Sequence, residues 1–238
     1  MVRLGKRALG PRPTLVLALS RDEAVLRQAR KLGVDAIELR IDGVVPLVQA
    51  NVQRVVRALQ RHGLPIVATV RSAREGGWAK LSTAQRAELY ESVMAAVDAI
   101  DVEIAAARAL AGTIDRARRG KKTVILSFHD FKRTPATARL EALVTKAKSA
   151  GADIVKIAAT PRSAADVLRL FELTRKHRRD HIVVIAMGAL GSISRLLFPL
   201  AGSLLTYTNV KPSVGQVPLR QFAAHLKLYY PAGPSRRQ

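Results

Sequence analysis

Ala150-Gly-Ala-Asp-Ile-Val-Lys156 decides how this chain is read. It joins the end of a helix-like stretch, a glycine stop and the start of an apolar strand. Glycine just past a helix takes the left-handed conformation that other residues resist. Three earlier segments repeat the pattern: Lys31-Leu-Gly-Val-Asp-Ala-Ile-Glu-Leu-Arg40, His62-Gly-Leu-Pro-Ile-Val-Ala-Thr-Val70 and Gly120-Lys-Lys-Thr-Val-Ile-Leu-Ser127. The glycines at 33, 63, 120 and 151 lie 30, 57 and 31 residues apart, and the middle gap spans two units. A period of about 30 residues is the size of one strand plus one helix. A chain of 238 residues holds about eight such units.

The spacing predicts strands near 14–19, 35–41, 65–70, 99–104, 122–128, 153–158, 182–186 and 203–207. Helices are expected near 22–32, 46–62, 83–97, 106–119, 136–150, 163–178, 192–199 and 218–228. Ser82-Thr-Ala-Gln85 resembles a capping box, and Thr134-Pro135 and Thr160-Pro161 precede two of the helices. Eight such units form either a closed (β/α)8 TIM barrel or a doubly wound open sheet. The polar residues choose between them. Glu38, Arg40, Thr69, Arg71, Asp101, Glu103, His129, Lys156 and Gln216 all fall on or just after strand C-terminal ends. Groups from so many strands converge only when the sheet closes into a ring, and that rim is where barrel enzymes hold their catalytic residues. The expectation is one α/β domain over 13–230, with short basic tails at 1–12 and 231–238.

Within the opening stretch, period-2 alternation puts Ile154, Lys156 and Ala158 on one strand face and Val155 and Ile157 on the other. An amine buried in such a strand is costly to keep charged. Burial alone is expected to depress its pKa and free the lone pair for imine formation with a ketone. The plainer alternative is a strand-end lysine whose head reaches water. His129, in Ser127-Phe-His-Asp130, follows the neighbouring strand and is a candidate for proton transfer. Asp130 points away from it by alternation. Glu75, in the glycine-containing Arg71-Ser-Ala-Arg-Glu-Gly-Gly77 loop, is the better orienter of the imidazole. Arg40, Arg71 and Arg195 sit at the same mouth, where a guanidinium grips a carboxylate by two hydrogen bonds.

Composition narrows the classes. There are no cysteines, which removes disulfides, thiolate catalysis and Cys-ligated metals. No apolar stretch reaches the roughly 18 residues of a membrane span, and no export signal is visible, so the cytoplasm is expected. The net charge of +22 comes from 28 arginines and 12 lysines against 18 acidic residues. These charges are dispersed and aromatics are 4%, which argues against a specific nucleic-acid platform and for steering of an anionic substrate.

In this order and spacing the motifs resemble those of the type I 3-dehydroquinate dehydratases. They are Glu38-Leu-Arg40, Thr69-Val-Arg71 with Glu75-Gly-Gly77, Asp101-Val-Glu103, Ser127-Phe-His-Asp-Phe131 with Thr134-Pro135, Ala152-Asp-Ile-Val-Lys-Ile157, Met187-Gly188, Ser194-Arg195, Phe198, Gly202-Ser203 and Gly215-Gln216. They run through nearly the whole chain, from Thr14 to about Tyr229. The resemblance implies a lyase that turns 3-dehydroquinate into 3-dehydroshikimate through a Schiff base on Lys156. It implies His129 as the acid–base group, with Glu75 paired to it. Glu38, Arg40 and Arg71 would read the ring hydroxyls, and Arg195 and Gln216 would hold the carboxylate. It implies no metal, no organic cofactor, and a homodimer. The last loop departs from the family, which carries a serine four residues before the glutamine. Here Lys211-Pro-Ser-Val-Gly-Gln216 puts Pro212 in that place, leaving Ser213 or Lys211 to substitute. Two rivals remain: another Schiff-base lyase such as an aldolase, which need not use His129 and Glu75 together, and a basic nucleic-acid-binding protein.

Overall fold

The computed structural model describes residues 2–10, 12–20, 26, 28–209 and 214–231. Eight parallel strands form one sheet: β3 (Thr14–Leu19), β4 (Ala36–Arg40), β5 (Ile66–Thr69), β6 (Ala99–Glu103), β7 (Thr123–Asp130), β8 (Ile154–Ala159), β9 (Ile182–Ala186) and β10 (Leu205–Asn209). Hydrogen-bonded neighbours run β10-β3-β4-β5-β6-β7-β8-β9, which is chain order wrapped into a ring. The seam between β9 and β10 is bridged differently. Leu204 N–H donates to Ile182 O at 3.0 Å, and the Ser203 hydroxyl accepts from Val184 N–H at 3.1 Å. Seven ladders and this bridge make a nearly closed TIM barrel, and the doubly wound alternative is set aside.

Seven helices with bounds inside the described residues alternate with the strands: α1 (Gln49–Gln60), α2 (Thr83–Val93), α3 (Ala111–Arg119), α4 (Thr137–Ser149), α5 (Ala164–Lys176), α6 (Ser194–Leu197) and α7 (Leu219–Tyr229). The helix expected near 22–32 lies partly outside the described residues; 26, 28 and 29 are helical. The capping box at Ser82 and Gln85 is formed, with both reciprocal bonds present. Thr134 and Thr160 do not cap the helices they precede. The N-caps there are Ala136 and Ser163. Gly33, Gly63 and Gly151 take positive φ as helix stops. Gly120 does not; the turn passes its left-handed position to Lys121, at φ 55°.

Strand alternation sorts the apolar residues into two cores. Leu17, Leu39, Val102, Leu126, Val155, Ile157 and Val184 face the helices. Val16, Val67, Ile125, Ile154, Val183 and Leu205 fill the barrel floor. Part of the segment expected as a basic tail closes that floor. Arg3–Leu4 (β1) and Arg7–Ala8 (β2) pair antiparallel, and Leu4 and Leu9 are buried in the floor core. The tail expected at 231–238 lies outside the described residues after Pro231.

Candidate active site

Above the apolar floor the interior turns polar. β4, β5, β6, β7 and β8 contribute Glu38, Thr69, Asp101, Ser127 and Lys156, all buried. One residue pair further along, Arg71, Glu103 and His129 form the next level. Strand register sets these side chains beside one another across the levels: Thr69 pairs with Asp101, Glu103 with Ser127, and Ser127 with Lys156.

The Lys156 ammonium lies 3.0 Å from Asp101 Oδ2 and 3.3 Å from Glu38 Oε2, and 4.1 Å above the centre of the Tyr207 ring. Burial works against its charge, but Asp101 and Glu38 outweigh burial and hold its pKa above the ordinary lysine range. The depressed pKa expected from the strand alone is therefore overturned. The apolar run conceals two carboxylates that reach across the barrel from sequence-distant strands. Asp101 is their centre. Its Oδ1 accepts from Arg71 at 2.9 Å and from the Ser127 hydroxyl at 2.5 Å. Burial pushes its carboxyl up, yet Arg71 and Lys156 hold it far below the usual range.

Glu75 meets one residue twice. Oε2 lies 2.9 Å from the His129 backbone N–H and 3.1 Å from its Nδ1. Desolvation raises the Glu75 pKa to about 7; Arg71 opposes the shift and Glu103 adds to it. Burial also pushes His129 well below the ordinary imidazole range, helped by the Arg71 and Lys156 cations and opposed by Asp101. The ring is therefore neutral near pH 7. Asp130 is not its orienter: Oδ1 accepts from Lys132 and Arg133 N–H groups and shapes the following loop.

The arginines divide by partner. Arg71 donates to Asp101, to Glu103 at 3.3 Å and to Ser127 at 2.7 Å, and still lines the cavity. Arg40 forks onto Asp42 at 3.0 and 2.8 Å, donates to Gly76 O at 3.1 Å, and lies 4.3 Å from the Trp78 ring centre. Among the described residues Arg195 has no carboxylate partner. Its Nη1 donates to Gly215 O at 2.8 Å, its buried Nε has no partner among the described residues, and desolvation lowers its pKa to about 10. Such a guanidinium is built for an incoming anion.

Lys156, His129, Glu75, Glu38, Arg40, Arg71, Arg195 and Gln216 all line one cavity of about 520 Å³ at the C-terminal rim. Gln216 accepts at Oε1 from Asn209 Nδ2 at 3.1 Å. Lys211, Pro212 and Ser213 lie outside the described residues. A wider groove of about 940 Å³ at the opposite end touches Arg7, Asp35 and Asp98. Its charges serve the scaffold: Arg7 pairs with Asp35 at 2.8 Å, and Asp35 and Asp98 accept strand N–H groups. Among the described residues no His, Asp and Glu cluster has metal-binding geometry, and no helix is long and apolar enough to cross a membrane.

Sequence reasoning passed over Asp42 and Tyr207. Asp42 takes the Arg40 fork, the Arg71 N–H at 3.1 Å and the Trp78 N–H at 3.0 Å, tying the Glu75 loop to β4. A carboxylate two residues beyond a strand-end arginine was the available signal. Tyr207 was hidden because the last strand was expected to end there; it continues to Asn209, and alternation turns Leu205, Tyr207 and Asn209 inward.

Residues 14–231 match the family described as type I 3-dehydroquinase. A 3-dehydroquinate dehydratase of Methanosarcina barkeri is 35% identical over 227 residues, covering 92% of this chain and 93% of that protein. The type I 3-dehydroquinate dehydratase of Clostridium difficile, solved with covalent modified comenic acid, superposes with a TM-score of 0.87 at 28% identity, covering 95% and 96% of the two chains. The 3-dehydroquinate dehydratase of Geobacillus kaustophilus gives 0.87 at 30% identity, covering 97% of each. With its barrel, its buried strand lysine and this match along almost its full length, the chain belongs to the type I 3-dehydroquinate dehydratase family.

Proposed function

We propose that this chain is a 3-dehydroquinate dehydratase that works through an imine between Lys156 and the C3 ketone, within the shikimate route to aromatic amino acids. The observation that carries the reading is one cavity holding three things: a buried lysine, a neutral histidine on a carboxylate, and a guanidinium without counter-charge. Arg195, with Gln216 and Ser213 on the last loop, receives the substrate carboxylate. Glu38, Arg40 and Arg71 frame the ring hydroxyls.

Attack needs the neutral amine, so Lys156 passes a proton to Asp101 or Glu38 as the C–N bond forms. The cost of that transfer is recovered at the iminium, whose charge sits beside the same two carboxylates. Starting from the ammonium, two of its three protons leave with the ketone oxygen as water and one stays on nitrogen. The iminium draws electrons from the adjacent bond, and neutral His129 takes the C2 proton. The resulting enamine expels the C1 hydroxyl, which leaves as water carrying that proton from His129. Water then hydrolyses the conjugated iminium. The covalent modified comenic acid in the structure of the Clostridium difficile relative accords with a site that forms covalent bonds. The same reading makes the working enzyme a cytoplasmic homodimer without metal or organic cofactor.

Borohydride added with 3-dehydroquinate is expected to leave a reduced adduct on the Lys156 peptide, while turnover produces the ultraviolet band of a conjugated enone. Turnover with no adduct, or an adduct on another lysine, sinks the mechanism. An aldolase reading predicts cleavage products and no enone.

A further inference from the structure

Two of the buried polar side-chain atoms without a hydrogen-bond partner among the described residues belong to residues lining the cavity. They are Arg195 Nε and the Tyr207 hydroxyl. Arg195 is accounted for by the substrate carboxylate. Tyr207 is not. It projects inward from β10, is 6% exposed, and holds its ring against the Lys156 ammonium at 4.1 Å. The Lys156 ammonium can donate to the phenol oxygen but cannot accept from it, so the hydroxyl proton has no acceptor among the described residues. A phenylalanine would fill the same space and make the same cation–π contact without burying that proton. The proton therefore finds an acceptor only when something enters beside Lys156.

We propose that Tyr207 is a further catalytic residue, donating a hydrogen bond from its hydroxyl to the oxygen on the carbon that Lys156 attacks. The inference rests on the imine reading above. As the amine adds, the C–N bond forms and the carbonyl π pair moves onto oxygen. That oxygen becomes the carbinolamine hydroxyl and then leaves as water when its C–O bond breaks and the nitrogen lone pair closes the iminium. Negative charge develops on it in the first step and again in hydrolysis. A donor fixed beside the amine stabilises the oxygen in both directions. The proton count closes without net transfer from the phenol, so Tyr207 ends each step as it began. Burial raises the phenol pKa despite the nearby ammonium, which keeps the hydroxyl protonated as a donor near neutrality. Neither Asp101 nor Glu38 can fill this role while ionised, because a carboxylate only accepts.

Tyr207→Phe removes the oxygen and keeps the ring. Adduct formation, followed by rapid mixing and borohydride quench, is expected to slow by about tenfold or more, the loss of one buried hydrogen bond in the transition state. Imine formation then limits turnover, so the kinetic isotope effect with C2-deuterated substrate falls toward one. The thermal midpoint should hold or rise, because an unsatisfied group has gone. Wild-type adduct rate and isotope effect in the variant overturn the role of Tyr207 and leave the imine reading standing. Absence of any Lys156 adduct in the unmodified enzyme overturns both.

Discussion

Glu75 is held at the edge of ionisation. Its pKa of about 7 sits well above the ordinary 4.5 because burial removes solvation that Arg71 only partly replaces. Ionised, it accepts the Nδ1 proton of His129 and leaves the other ring nitrogen bare. Protonated, it donates to Nδ1 and moves the imidazole proton to the nitrogen that receives the C2 hydrogen in the proposed mechanism. The working form is thus the deprotonated carboxylate, so activity is present above about pH 7 and lost as pH falls through it. His129 adds no competing limb there, since its own pKa lies well below the ordinary value. We expect kcat to fall about tenfold per unit well below pH 7. Glu75→Gln should lower the maximum and shift this acid limb to lower pH. A limb that stays at the same pH in the variant assigns the titration elsewhere.

The barrel ends are set by different kinds of element, and only one kind was legible. Strands β3 to β9 fall within about two residues of the expected spans, because a regular strand–glycine–helix period repeats a strong signal. The hairpin Arg3–Leu4/Arg7–Ala8 left no such trace; two-residue strands have no periodicity, and its three basic residues, Arg3, Lys6 and Arg7, read as part of a tail. The site divides the same way. Lys156 within its strand, His129 near a strand end and Arg195 after a glycine-rich turn announce themselves by residue type and place. The charge state of Lys156 does not, because Asp101 and Glu38 come from 55 and 118 residues away. Hairpin and site lie at opposite ends of the barrel, so they should fail independently. Leu4 is fully buried in the floor core. Leu4→Ala is expected to cost about 2 kcal/mol or more of stability in urea unfolding, with kcat nearly unchanged. An unaltered urea midpoint would show that the hairpin rests on the floor without sealing it.

At the scale of the whole molecule, a charge of +22 surrounds a cavity in which, among the described residues, Arg195 is a cation without a carboxylate partner. The two act over different distances. In the proposed function Arg195 takes a carboxylate at contact, an interaction indifferent to screening once the cavity is closed to water. The surface charge acts over several ångströms of solvent, where the Debye length shrinks from about 30 Å at 0.01 M salt to about 10 Å at 0.1 M. The field raises the local concentration of an anionic substrate and does not touch the chemistry after binding. Added salt should therefore lower kcat/KM several-fold across that range and leave kcat alone. A salt anion also competes for the guanidinium, and that effect follows the identity of the anion. Screening follows ionic strength only. Chloride and sulfate compared at equal ionic strength should give the same slope if the surface field steers the substrate. Unequal slopes, or a kcat/KM that ignores salt, would confine the recognition of charge to Arg195 and leave the remaining surface charge without a part in catalysis.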